Sequence, residues 1–145
     1  MNRLFLIGSA ALLVILVVVG IWLAGSPSEA RAKRFDDARV QDLNAISNAV
    51  NNYYNDTDAL PTTVAELDAH TQRKYNQNLN LKDPQSSAAY EYRVVSTTTR
   101  EFELCAHFNK ENSNFTDAYY LSYEKRNVWQ HSAGRDCFTH TANKY

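Results

Sequence analysis

"NAVNNYYNDTDALPTTVAEL", residues 48–67, changes character halfway along. A helical stripe runs into Tyr53 and Tyr54, then into a polar turn, a proline and a second helix start. The Asn, Asp and Thr side chains of "NDTDALP" compete for backbone hydrogen bonds, and the residue before Pro61 is pushed out of the α region. The first helix is therefore expected to end at Tyr54. Thr63 and Glu66 have capping-box spacing and open a short helix through Val64, Leu67 and His70. Tyr53 and Tyr54 read as core residues at a helix end.

Upstream, the apolar side of the first helix runs Phe35, Leu43, Ile46, Val50, Tyr53 and Tyr54, with Ala38, Ala45 and Ala49 as small companions. Asp36, Arg39, Gln41, Asn44, Asn48 and Asn51 are expected to face water. Ser26, Pro27 and Glu29 fit an N-cap, a first-turn proline and a returning carboxylate, so the helix is expected to start at Pro27. Its length of roughly 42 Å exceeds what a compact domain of this size needs, and part of it is expected to form a stalk. Before it, "LFLIGSAALLVILVVVGIWLA" (Leu4 to Ala24) holds 21 residues without a charge, enough to cross about 30 Å of hydrocarbon. Trp22 suits a headgroup interface. A cleaved signal peptide is the competing reading, but its apolar region is roughly 7 to 15 residues long, and "WLAGS" offers a poor cleavage site. Residues 1–25 are thus expected to be a transmembrane anchor and residues 26–145 one soluble domain, with 26–54 as its stalk or spine helix.

Downstream of "KDPQSSA" the period changes from about 3.6 to 2. "YEYRV" sets Tyr90, Tyr92 and Val94 on one face. "EFELCAHF" sets Phe102, Leu104, Ala106 and Phe108 on one face and Glu101, Glu103, Cys105 and His107 on the other. "VSTTTR" joins the two as a hairpin connection. "NKENSNFTDA" reads as a loop, "YYLSY", "NVWQH" and "DCFTH" as further strands, and "SAGR" as a turn. The fold class expected is α+β, a long helix on a small antiparallel sheet.

The charge balance, 15 Lys plus Arg against 16 Asp plus Glu, gives no electrostatic case for nucleic acid. There is no phosphate loop, nucleophile elbow or HExxH, so no catalytic residues are assigned and an enzyme is not expected. Glu101 and Glu103 read as an exposed strand face. Asn55, Asp56, Asp58, Asn112, Asn114 and Asp117 have the oxygen chemistry of calcium ligands, but turn formation explains them better. Tyr119, Tyr120 and Tyr123 mark a tyrosine-rich patch for a ligand. Cys105 and Cys137, 32 positions apart, read as a disulfide in an oxidising compartment. The alternative is zinc held among Cys105, His107, His131, Cys137 and His140, although neither cluster has the spacing of a zinc knuckle. No cofactor is otherwise implied. Orientation is contested: Arg31, Lys33, Arg34 and Arg39 after the span, against Arg3 before it, would put the domain in the cytoplasm, whereas a disulfide would put it outside.

An apolar N-terminal helix, then "DLNAISNAVNNYYNDTDALPTTVAEL", then "LKDPQSSAAYEY" before an antiparallel sheet, resembles the pseudopilins of type II secretion and, more loosely, type IV pilins. The resemblance covers about the first two thirds of the chain. It implies an extracytoplasmic pilin-like domain, often with its C-terminal region fastened by a disulfide. The chain departs from the family in lacking the short basic leader and the early glutamate, since "MNRLFLIGSAALL" has no acidic residue before Glu29. An uncleaved anchor is therefore expected. Together these readings predict a membrane-anchored structural or interaction protein of a secretion or type IV pilus-type assembly, partnered by the lipid bilayer and other pilin-like subunits. The alternative is a membrane-anchored ligand- or metal-binding module unconnected to filaments.

Overall fold

A computed structural model of the chain describes residues 3–24, 26–112 and 129–144. Among them are three helices, α1 (Arg3–Ala24), α2 (Pro27–Thr57) and α3 (Val64–Tyr75), and three strands, β1 (Glu91–Ser96), β2 (Glu101–Phe108) and β3 (Gly134–Thr141). The chain divides into two units, Met1–Lys33 and Arg34–Tyr145.

In the first unit, α1 carries no acidic residue in its first turn and no basic residue in its last. Its described side chains from Ile7 to Val19 are exposed on every side. Among the described residues no helix is long and apolar enough to cross a membrane. This corrects the expected fold class: among the described residues it is α+β, three helices with a three-stranded antiparallel sheet, and the expected transmembrane helix is not supported.

In the second unit the three strands pair antiparallel in the order β1-β2-β3. The connection 97–100 joins β1 to β2, and Arg100 turns the corner with φ 59°. Phe102, Leu104, Ala106 and Phe108 are all buried, as strict alternation against a single core requires. They share that core with Leu43, Ile46, Ala49 and Val50 of α2, Leu67 of α3, and Tyr90, Phe138 and Ala142. At about 25 cal/mol per Å² of apolar surface removed from water, this shared layer is the main force holding the helices to the sheet.

Several expectations need correction. α2 runs one turn past Tyr54: Thr57 Oγ1 donates to the Tyr53 carbonyl (2.8 Å), Asp58 N to the Tyr54 carbonyl (2.9 Å), and the helix stops where Asp58 takes φ 56°. Asp36 and Arg39, expected in water, are buried to 5% and 3% exposure, while Ala45, expected inside, is exposed. Trp129 to His131 of "NVWQH" form no strand, and Gly134 and Arg135 of the expected "SAGR" turn begin β3. The expected strand "YYLSY" lies outside the described residues.

The turn after α2 is held from both sides. Thr63 caps α3 by accepting from Glu66 N (3.1 Å), while the Glu66 carboxylate reaches back to Thr62 N (2.8 Å), one residue earlier than the usual box. Tyr53 donates to the same carboxylate at 2.5 Å. Hydrogen bonds from Thr62 and Tyr53 hold the Glu66 carboxyl at about 2. From the sheet, Tyr92 donates to the Pro61 carbonyl at 2.8 Å. Tyr54 lies half-buried against the core with the Arg100 guanidinium 5.8 Å from its ring centre.

Candidate functional site

Alternation in β2 sends every second side chain to the face opposite the core, and pairing with both neighbours arranges that face in rows. Glu91, Cys105 and Cys137 form one row across the three strands, Arg93, Glu103 and Thr139 the next, and His107 stands opposite Arg135. Cys105 and Cys137 are thus direct cross-strand partners, with Cα atoms 4.1 Å apart, and their sulfurs are bonded. Charges surround the bond. Arg135 clasps the Glu91 carboxylate through Nε (3.1 Å) and Nη2 (2.7 Å), and Nη2 also lies 3.4 Å from Cys105 Sγ. Arg93 donates to Glu103 Oε2 at 2.9 Å, and that oxygen stands 3.8 Å from Cys105 Sγ. The Arg135 hydrogen bond keeps the Glu91 carboxyl below its ordinary range.

The carboxylate of Glu103 and the sulfurs of Cys105 and Cys137 lie within 4.8 Å of one another. The histidines of the zinc alternative do not all join them. His107 shares the outer face, but His131 is buried with its ring stacked on Phe108 at 3.6 Å, and His140 pairs opposite the core residue Phe102 with its ring 4.7 Å from Trp129. The sheet separates those two rings from the sulfurs. Glu101, the other carboxylate of this strand face, accepts from Thr99 Oγ1 at 2.9 Å.

The candidate calcium oxygens are engaged in turns and ion pairs. Asp56 binds Lys74 and accepts from Tyr75 (2.8 Å), Asp58 binds Lys144, and Asn112 exchanges hydrogen bonds with Trp129 and His131. Asn114, Asp117, Tyr119, Tyr120 and Tyr123 lie outside the described residues.

A second polar constellation was missed in the sequence. Arg39 of α2 binds Asp83 through Nε and Nη2, donates to Asp36 Oδ1 (2.6 Å) and reaches Gln85 Oε1 (2.8 Å). Asp83 also accepts from Gln85 N (2.8 Å) and Ser86 N (2.7 Å), and Asp36 from Asn109 N (2.8 Å) and Lys110 N (3.0 Å). Burial penalises charge on Asp83, but the hydrogen bonds from Arg39, Ser86 and Gln85 outweigh it and hold the carboxyl well below the usual range. Nearby, Asp42 accepts from Tyr90 (2.9 Å), and burial followed by this bond pushes the phenol up. These groups tie α2 to the 83–90 loop and the end of β2. Their hydrogen-bonding capacity is spent within the protein, which marks the cluster as a fastening. The signal available in sequence was "KDPQ" after a helix carrying Asp36 and Arg39 three apart. No known protein family, curated protein or solved structure matches the chain.

Proposed function

We propose that the chain is an extracytoplasmic pilin-like structural or interaction protein, working in or beside a secretion or pilus-type assembly. The observation that carries this reading is the order and packing of the second unit. A long helix shares one core with a small antiparallel sheet, a Leu-Pro turn redirects the chain into a capped helix, and the C-terminal strand is fastened by Cys105–Cys137. A bonded cysteine pair supports placement in an oxidising compartment. The exposed apolar side chains of α1 support a role in contact, because a helix apolar on all sides needs apolar surroundings. Bilayer lipid and the helices of other pilin-like subunits are the partners of that chemistry.

The test labels intact cells with a membrane-impermeant maleimide, with and without prior reduction, and then after permeabilisation. The reading expects labelling of Cys105 and Cys137 after reduction alone, without permeabilisation. Labelling that needs permeabilisation but no reductant would place free thiols in the cytoplasm and overturn it.

A further inference from the structure

We propose that the outer sheet face conceals a zinc site, opened by reduction of Cys105–Cys137 and formed by the two cysteine sulfurs with the carboxylate of Glu103. The site needs no filament and stands independently of the role proposed above.

Zinc binds thiolate sulfur at about 2.3 Å and carboxylate oxygen at about 2.0 to 2.2 Å, so tetrahedral ligands stand about 3.5 to 3.8 Å from one another. Glu103 Oε2 is already 3.8 Å from Cys105 Sγ, and all three ligand atoms lie within 4.8 Å. Once the S–S bond is gone, the sulfurs need to separate and the Glu103 carboxylate to swing towards Cys137. Both cysteines are anchored by an eight-residue antiparallel ladder that pairs every position of β2 with β3, which keeps the thiols opposed after reduction.

Charge favours the same outcome. Arg135 Nη2, 3.4 Å from Cys105 Sγ, stabilises a thiolate there, and the Glu91 carboxylate balances the guanidinium against the incoming cation. Among the described residues the side-chain ion pair of Glu103 is with Arg93, whose own side chain is largely exposed, so the pair contributes little and the carboxylate can turn to the metal. Three protein ligands leave the fourth position to water, the pattern of an open zinc site.

The chemistry balances with a phosphine reductant. The phosphine and one water convert the disulfide to two thiols, the phosphine leaving as its oxide. Zinc then takes the place of the two thiol protons, which pass to solvent.

The experiment uses the 145-residue chain, oxidised or phosphine-reduced, titrated with Co²⁺ as a spectroscopic stand-in and with Zn²⁺ against a chromophoric chelator. Circular dichroism is followed in each state. The reduced chain is expected to bind one metal ion with a thiolate-to-cobalt charge-transfer band, release two protons and keep its strand signal. The oxidised chain should show no such band. Glu103→Gln should weaken zinc binding about tenfold or more, and Cys105→Ser should abolish the band. An absent band in the reduced chain, loss of the strand signal on reduction, or unchanged affinity in Glu103→Gln would each overturn the proposal. The last would show capture by two thiols without a built site.

Discussion

Moving a guanidinium and two carboxylates out of water costs several kcal/mol per ion, and Asp36, Arg39 and Asp83 offset it only because each is answered by the others and by backbone N–H groups. Removing Arg39 leaves two buried carboxylates with backbone donors but without their counter-ion. Arg39→Ala should therefore destabilise the domain by about 3 to 5 kcal/mol in urea unfolding, against less than about 0.5 kcal/mol for an exposed neighbour such as Gln41→Ala. Equal costs would show that the pair is not a fastening. Glu66 makes a different statement. Its folded-state carboxyl sits at about 2 against an ordinary 4.5. The stability it contributes is fully present above about pH 4.5 and is lost as pH falls towards 2. Stability followed from neutral pH down to about pH 2 should decline through that window, together with the contribution of Asp83, whose carboxyl is also held low. Glu66→Gln should make the decline shallower, and an unchanged slope would contradict the assignment.

At the scale of elements, α3 starts because Thr63, in an extended conformation, accepts the Glu66 N–H. Thr63→Ala should cost about 1 kcal/mol, and Thr63→Ser should restore most of it, measured by chemical unfolding. The same turn shows which parts of the fold were legible in sequence. Phe102, Leu104, Ala106 and Phe108 were readable because one buried face imposes a period of 2, and Thr63 with Glu66 because a capping box is local. The end of α2 was misplaced because Thr57 and Asp58 satisfy the last carbonyls and carry the helix a turn further than "NDTD" suggests. Asp36 and Arg39 were placed in water because periodicity reports polarity. It cannot report that Asp83, 44 residues after Arg39, arrives to match the charge. Of the candidate site, the outward alternation of Glu103, Cys105 and His107 was legible. The Cys105–Cys137 pairing was legible too, as the chain's two cysteines. That they stand directly opposite one another, while His131 and His140 turn to the core, depends on the register between β2 and β3, which no local pattern encodes.

For the whole molecule, two statements about association and stability follow. If α1 serves contact between subunits, a polar side chain on its surface should act on assembly and leave the second unit intact. Gly8→Asn should abolish recovery of crosslinked oligomers from cells without shifting the thermal unfolding of the domain, since nothing lies within 4 Å of Gly8 to be disturbed. Oligomers recovered at the level of the unaltered chain would remove α1 from the interface. Replacing both cysteines by serine releases the loop between positions 105 and 137 and should cost about 3 to 4 kcal/mol in the chain-entropy description. That bond also makes the chain a ring with two tails, the ring holding the turn out of β2, the segment beyond it and the entry to β3. One cut by a protease within the ring leaves every residue covalently attached to every other, so the nicked protein keeps its mass and runs as a single band until a thiol is added. Digestion compared on reducing and non-reducing gels would then separate cuts inside the ring from cuts in the tails without any mutation.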